Sequence, residues 1–162
     1  MLRDLARTDA EIFWRDQGLD VRFERFSTEA FQAIRQTWMP RGRVVDWDWA
    51  DQFVYRRRKR PTRWDLALWA DPDLLALAMG YGSRHGKTIL YLEGIERIPG
   101  QHPYAPFVVP MVLDATERYA RHLESKSVVL IRPHPKLIPK YEAAGYKCSR
   151  KTSLKFDAVA GQ

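Results

Sequence analysis

The turn Arg132-Pro133-His134-Pro135 follows the apolar run Ser127-Val128-Val129-Leu130-Ile131. Its two prolines stiffen it, so it presents a cation and an imidazole at the C-terminal end of a strand, a place where rigid scaffolds often carry binding groups. Further along lies Tyr141, whose phenol is a hydrogen-bond donor at neutral pH, in the segment Tyr141-Glu142-Ala143-Ala144-Gly145-Tyr146. Glu93 and Glu96 close a third segment, which begins Leu90-Tyr91-Leu92. A carboxylate there becomes a useful proton acceptor if burial lifts its pKa toward neutrality. Residues 56–60 read Arg-Arg-Arg-Lys-Arg, just after Trp47 and Trp49. Arg56, Arg57, Arg58 and Arg60 suit phosphate groups, and an exposed indole stacks on a planar base. Trp47 and Trp49 are two apart, so one helix face cannot hold both, and core packing is the competing use of each ring. His85, His102 and His122 have no ligand spacing with each other or with acids, so no metal site is expected. Cys148 is the single cysteine; it excludes an internal disulfide and a cysteine metal cluster.

These groups need elements to position them. Residues 108–123 place Val109, Val112, Leu113, Thr116, Tyr119, Ala120 and Leu123 at helical spacing, one face toward a core. Residues 127–131 form an apolar run of the kind buried on both faces of a sheet. Residues 136–144 read as a short helix with Leu137, Ile138, Tyr141 and Ala144 on one side, stopped by Gly145. Upstream, Val21 to Phe26 alternates as a strand. Ser27 is a plausible cap for a helix that buries Ala30, Phe31, Ile34 and Trp38, and Asp46 caps a second one. Trp64 to Ala70, Leu74 to Tyr81 and Thr88 to Ile95 are three strands, the first two joined by the turn residues Asp71-Pro72-Asp73. A last strand lies near Thr152 to Phe156. Residues 1–18 form a possible helical extension. The whole, residues 1–162, reads as a single α/β domain: a mixed, mostly antiparallel central sheet with helices on both faces.

At 162 residues and 45% hydrophobic content the chain has material for a core. Its net charge of +7 favours an anionic ligand or partner, or serves only as a solvated surface. No apolar run is long enough for a membrane span and the first residues lack a signal-peptide pattern. A cytoplasmic location is the expectation.

The element order over residues 19–156, with Tyr141-Glu142-Ala143-Ala144-Gly145-Tyr146 matching a Tyr-x-x-x-Gly-aromatic signature, resembles the GNAT superfamily of N-acetyltransferases. The resemblance implies an acyltransferase that moves an acetyl or other acyl group from acyl-coenzyme A to an amine. The donor would sit where the strands 88–95 and 127–131 splay apart. Tyr141 would serve the departing thiolate as general acid, with Glu93 or Glu96 as base and His134 near the reacting groups. Backbone near Ile95 to Arg97 would hold the thioester carbonyl, and Arg97, Tyr104 and Arg132 would line the donor site. One departure is plain. Where the family has a Gly-rich turn whose N–H groups bind pyrophosphate, this chain has His102-Pro103-Tyr104-Ala105-Pro106-Phe107, without glycine and with donors removed by proline. The alternative is therefore a protein of this fold that binds or modifies nucleic acid or charged RNA through its basic surface, with an unusual donor or without acetyl transfer.

Overall fold

The computed structural model describes residues 1–43, 48–60, 62–83, 89–150 and 153–157, with the backbone alone for 56, 57, 59, 148–150 and 157. The elements run α1 (Leu2–Asp16), β1 (Arg22–Glu24), α2 (Thr28–Ala33), α3 (Trp49–Lys59), β2 (Arg63–Ala70), β3 (Asp73–Gly82), β4 (Ile89–Arg97), α4 (Ala105–His122), β5 (Ser127–Ile131), α5 (Ile138–Ala143), β6 (Lys147–Arg150) and β7 (Ser153–Asp157). The strands make one seven-stranded sheet in the order β1-β2-β3-β4-β5-β7-β6. Among the described residues only β4 and β5 run parallel, because α4 carries the chain back between them while the other pairs are antiparallel. This is the mixed, mostly antiparallel sheet that the sequence predicts.

β2 and β3 are buried along nearly their whole length, as expected of strands covered on both faces. Trp64 stacks on Tyr119 of α4 at 4.8 Å between ring centroids. Glu96, which falls on the opposite face by the β2–β3–β4 register, meets Trp49 of α3 instead. Helices therefore cover both faces. The extension expected at the N-terminus is α1. Asp9 and His122 bind it to α4 at 2.9 Å, and Trp14 Nε1 donates to Asp114 at 3.0 Å. Among the described residues no helix is long and apolar enough to cross a membrane.

Several boundaries differ from the sequence expectation. The Val21–Phe26 strand shortens to β1, since the Phe26 N–H donates to the Asp65 carboxylate at 2.9 Å and leaves the ladder. Ser27 does cap α2, accepting from Ala30 N at 3.2 Å, and the helix continues as a π-helical turn, Ile34–Trp38. Asp46 lies outside the described residues; Asp48 accepts from the N–H groups of Ala50 and Asp51 at the start of α3. The helix expected over 136–144 divides into a 3₁₀ turn, Pro135–Leu137, and α5. Pro139 fits only the first turn of a helix, which sets where α5 begins. β6 has no counterpart in the sequence reading. It is a polar strand at the sheet edge, paired on one side only, so no apolar alternation marks it.

The feature that positions the site is a bulge in β4. Met79 faces Gly94 and Gly80 faces Leu92, which leaves Glu93 as an extra residue in β4. Gly80 permits it. A Cβ on Gly80 would stand 2.1 Å from the Tyr91 carbonyl oxygen, a contact that no side chain survives without backbone movement. Gly80→Ala is expected to lower stability by about 1–3 kcal/mol through this overpacking, read as a lower denaturant midpoint; an unchanged midpoint would mean that the bulge does not depend on this close approach.

Candidate active site

Beyond the bulge, β4 and β5 part. Their ladder runs from Ile89↔Ser127 to Leu92↔Leu130 and ends there. Between the separated ends lies a cavity of about 200 Å³, lined by Leu92 to Ile95 from β4, Leu130 to His134 from β5 and its turn, and Leu137 and Tyr141 from the segment above. From Gly94 on, no strand among the described residues pairs with the β5-facing edge of β4, the geometry of strand addition. The Pro-braced turn holds Arg132 at φ 50°, a left-handed conformation uncommon for this residue type.

The structure brings Tyr141, Glu93, His134, Ile95 and Arg132 to this cavity. Tyr141 is 4% exposed, and burial pushes its phenol up to about 12. Its hydroxyl has no hydrogen-bond partner among the described residues, so the neutral O–H is available as a donor inside the cavity. Glu93 is half-buried and, as the extra residue of the bulge, faces the gap. His134 Nδ1 accepts from Lys136 N at 3.2 Å, capping the 3₁₀ turn. That use of Nδ1 leaves Nε2 to carry the proton in the neutral ring, which makes His134 a donor rather than a base. Arg132 is exposed at the cavity wall.

Glu96 stands apart from this group. Arg43 grips it with Nε and Nη2 at 2.7 and 2.9 Å, and Trp49 Nε1 donates to the same carboxylate. The carboxylate is buried and fully engaged, and it is not part of the cavity wall. It ties the α2–α3 connection to the sheet beside the bulge. Arg97 is also outside the wall; it is exposed, with Nη1 3.4 Å from the Gly100 carbonyl oxygen. Tyr104 precedes α4, with its N–H donating to His102 Nδ1 at 3.0 Å.

The start of α4 bears directly on an acyl-coenzyme A donor. The Ala105 N–H donates to the His102 carbonyl and the Phe107 N–H to the Tyr104 carbonyl, both at 2.9 Å. Pro106 between them has no N–H. The first turn therefore has no unused backbone donor for a diphosphate, although a helix start ordinarily supplies such donors. Phe107 is 42% exposed over this end. The cavity between the strands fits the thioester end of such a donor; the helix start does not fit its diphosphate.

Of the residues that suit nucleic acid, Trp49 is corrected outright. It is 2% exposed, packed edge-on against Phe26 and bonded to Glu96, so it offers no stacking face. Trp47 lies outside the described residues, as do the side chains of Arg56 and Arg57. Arg58 is exposed. Arg60 lies over the Tyr81 ring at 4.1 Å.

Two parts of the site were not found by sequence reasoning. One is the bulge, whose only sequence signals are Gly80 and Gly94. The other is the support beneath Tyr141. Tyr146 is buried, its ring centroid 6.5 Å from that of Tyr141, and its hydroxyl donates to Glu117 of α4 at 3.1 Å. Burial lifts the Glu117 carboxyl to about 7, and burial followed by the facing Glu117 holds the Tyr146 phenol well above its ordinary value.

Compared with known proteins, the chain matches no family model and no curated protein sequence. Solved structures do match. A putative acetyltransferase of the GNAT family from Desulfovibrio desulfuricans superposes with a TM-score of 0.66 at 14% identity, over 85% of this chain and 99% of that one. An acetyltransferase from Trypanosoma brucei gives 0.62 at 14% identity, over 82% and 96%. The NatC complex bound to Gag peptide and CoA gives 0.61 at 8% identity, over 85% and 98%. The chain has the fold of the GNAT acetyltransferases.

The Glu117–Tyr146 pair makes stability depend on pH. The folded chain holds the Glu117 proton up to about pH 7, above its ordinary 4.5, so between these values the folded state binds more protons than the unfolded one. The stabilisation is complete below pH 4.5 and is lost as pH rises through 7. Glu117→Gln keeps an acceptor for Tyr146 without the ionisation. It is expected to raise stability near pH 8 by about 3 kcal/mol relative to the parent and to leave it unchanged near pH 4, measured by denaturant titration at the two pH values.

Proposed function

We propose that the protein transfers an acyl group from a thioester of the pantetheine type, the class to which acetyl-coenzyme A belongs, to an amine. The observation that carries this reading is the parting of the parallel strands β4 and β5 at the Glu93 bulge, with Tyr141 and Glu93 on the walls of one cavity. The fold supports it, since the solved structures that share it include named acetyltransferases and one complex with CoA and a peptide.

In this reading the unpaired edge of β4 receives the extended donor arm as an added strand. Glu93, directly or through a water, takes a proton from the amine as its nitrogen attacks the thioester carbonyl carbon. The carbon–nitrogen bond forms and the carbon–sulfur bond breaks. Tyr141 donates its hydrogen bond to the departing sulfur. A phenol near 12 is a weaker acid than an ordinary thiol near 8.5, so at equilibrium the proton belongs to the oxygen. Tyr141 thus stabilises the developing thiolate by hydrogen bonding, and solvent completes the protonation. His134, with Nε2 as donor, adds a second hydrogen-bond donor on the cavity wall. Glu96 is left with a positioning role through Arg43 and Trp49.

Tyr141→Phe is expected to reduce kcat about 100-fold with little change in Tm, because the lost hydroxyl strands no buried partner. In the parent, activity is expected to rise with pH as the amine loses its proton, and to persist through pH 10, since the Tyr141 donor is lost only near pH 12. Steady-state rates with an acetyl thioester and a panel of amines test both points. Unchanged turnover in Tyr141→Phe, or a rate that collapses near pH 10, would remove Tyr141 from the mechanism.

A further inference from the structure

We infer that the donor site recognises the acyl-phosphopantetheine arm and not the nucleotide end of coenzyme A. The inference rests on the acyl-transfer reading and specifies its donor. Recognition of a nucleotide diphosphate at a helix start needs N–H groups that point outward unused. In α4 the candidates are consumed: Ala105 N donates to His102 O, Phe107 N donates to Tyr104 O, and Pro106 has none. Tyr104 N is likewise held by His102 Nδ1. The segment closes on itself, and the exposed Phe107 ring places apolar surface where a doubly charged group would otherwise lie. The arm itself is provided for. The unpaired edge of β4 and the apolar wall of Leu92, Ile95, Leu130 and Leu137 accept an extended amide chain. At the cavity's polar end, Arg132 is exposed on the wall, with Lys136 exposed on the adjoining turn. Guanidinium and ammonium groups hold a terminal phosphate by side chain, with Arg able to do so bidentately. One phosphate on these cations takes the place of a diphosphate on backbone donors.

The same arm reaches a protein from two sources, as part of free coenzyme A or attached to a carrier protein, and the test separates them. Full-length protein would be titrated calorimetrically with acetyl-coenzyme A, acetyl-4′-phosphopantetheine, S-acetylpantetheine and adenosine 3′,5′-bisphosphate. The expected result is that acetyl-4′-phosphopantetheine binds within about threefold of acetyl-coenzyme A and that the bisphosphate neither binds nor competes. Removing the phosphate should weaken binding about tenfold, and Arg132→Gln should abolish that difference while leaving S-acetylpantetheine unaffected. Transfer from an acetylated acyl carrier protein at a lower KM than from acetyl-coenzyme A assigns the arm to a carrier; the reverse assigns it to the free thioester, and either supports the inference. Acetyl-coenzyme A binding about 30-fold or more tighter than acetyl-4′-phosphopantetheine, or competition by the bisphosphate, would overturn it while leaving acyl transfer intact. Binding of no thioester at all would overturn both.

Discussion

The candidate site depends on one close approach. The Tyr91 carbonyl oxygen occupies the space that a side chain at Gly80 would need. That contact accompanies the register change by which Glu93 is left over in β4. Two consequences come together. The extra residue re-aims a carboxylate toward β5, and the β4–β5 ladder stops at Leu92↔Leu130. β5 itself ends at Ile131, one residue past that pair, while β4 runs on to Arg97, so the bulge and the early end of β5 together open the cavity. Bulges near functional sites are commonly of this kind, since they end pairing and redirect a side chain at once.

The rest of the structure holds that opening from both sides. On the α3 face, Arg43 and Trp49 fix Glu96 just past the bulge. A buried carboxylate with two donors is costly to disturb, so the strand end is constrained where it leaves its partner. On the α4 face, Tyr146 and Glu117 anchor the chain leaving α5, and Tyr146 lies beneath Tyr141. The two pairs differ electrostatically. Glu96 is gripped by Arg43 at 2.7 and 2.9 Å, whereas Glu117 has Arg121 only at 3.8 Å and burial outweighs it, keeping the Glu117 proton to near neutral pH. The phenol that faces the cavity is thereby supported by a neighbour that is itself neutral.

Much of the fold was legible because its signals are local. The unbroken apolar runs of β2, β3 and β5 and the helical spacing of α4 follow directly from burial on two faces or one. Ser27 capped the helix expected of it. Tyr141, Glu93, Ile95, Arg132 and His134 were placed by the resemblance and by strand ends, and the structure gathers them at one cavity. What was not legible is set by tertiary contact. Glu96 looks equivalent to Glu93 in sequence, and only the packing of Arg43 and Trp49 separates them. Trp49 could have been a stacking ring until α3 was laid on the sheet. β6 carries no pattern because its pairing is an edge effect. The proline-rich turn announced missing donors at Pro103, Pro106 and Pro110, but that Ala105 and Phe107 spend theirs on His102 and Tyr104 is a matter of backbone geometry.

In the acyl-transfer reading the gap between β4 and β5 is a ligand cavity and not a packing irregularity. Leu137 lines it from the turn above and is only half-buried, so Leu137→Trp fills the space from outside the sheet core. The most direct measurement is the affinity of parent and Leu137→Trp for acetyl-4′-phosphopantetheine, with Tm recorded for each. Saturable one-site binding to the parent is expected, with at least about tenfold weaker binding to the variant at an unchanged Tm. Equal affinities in two equally stable proteins would contradict it.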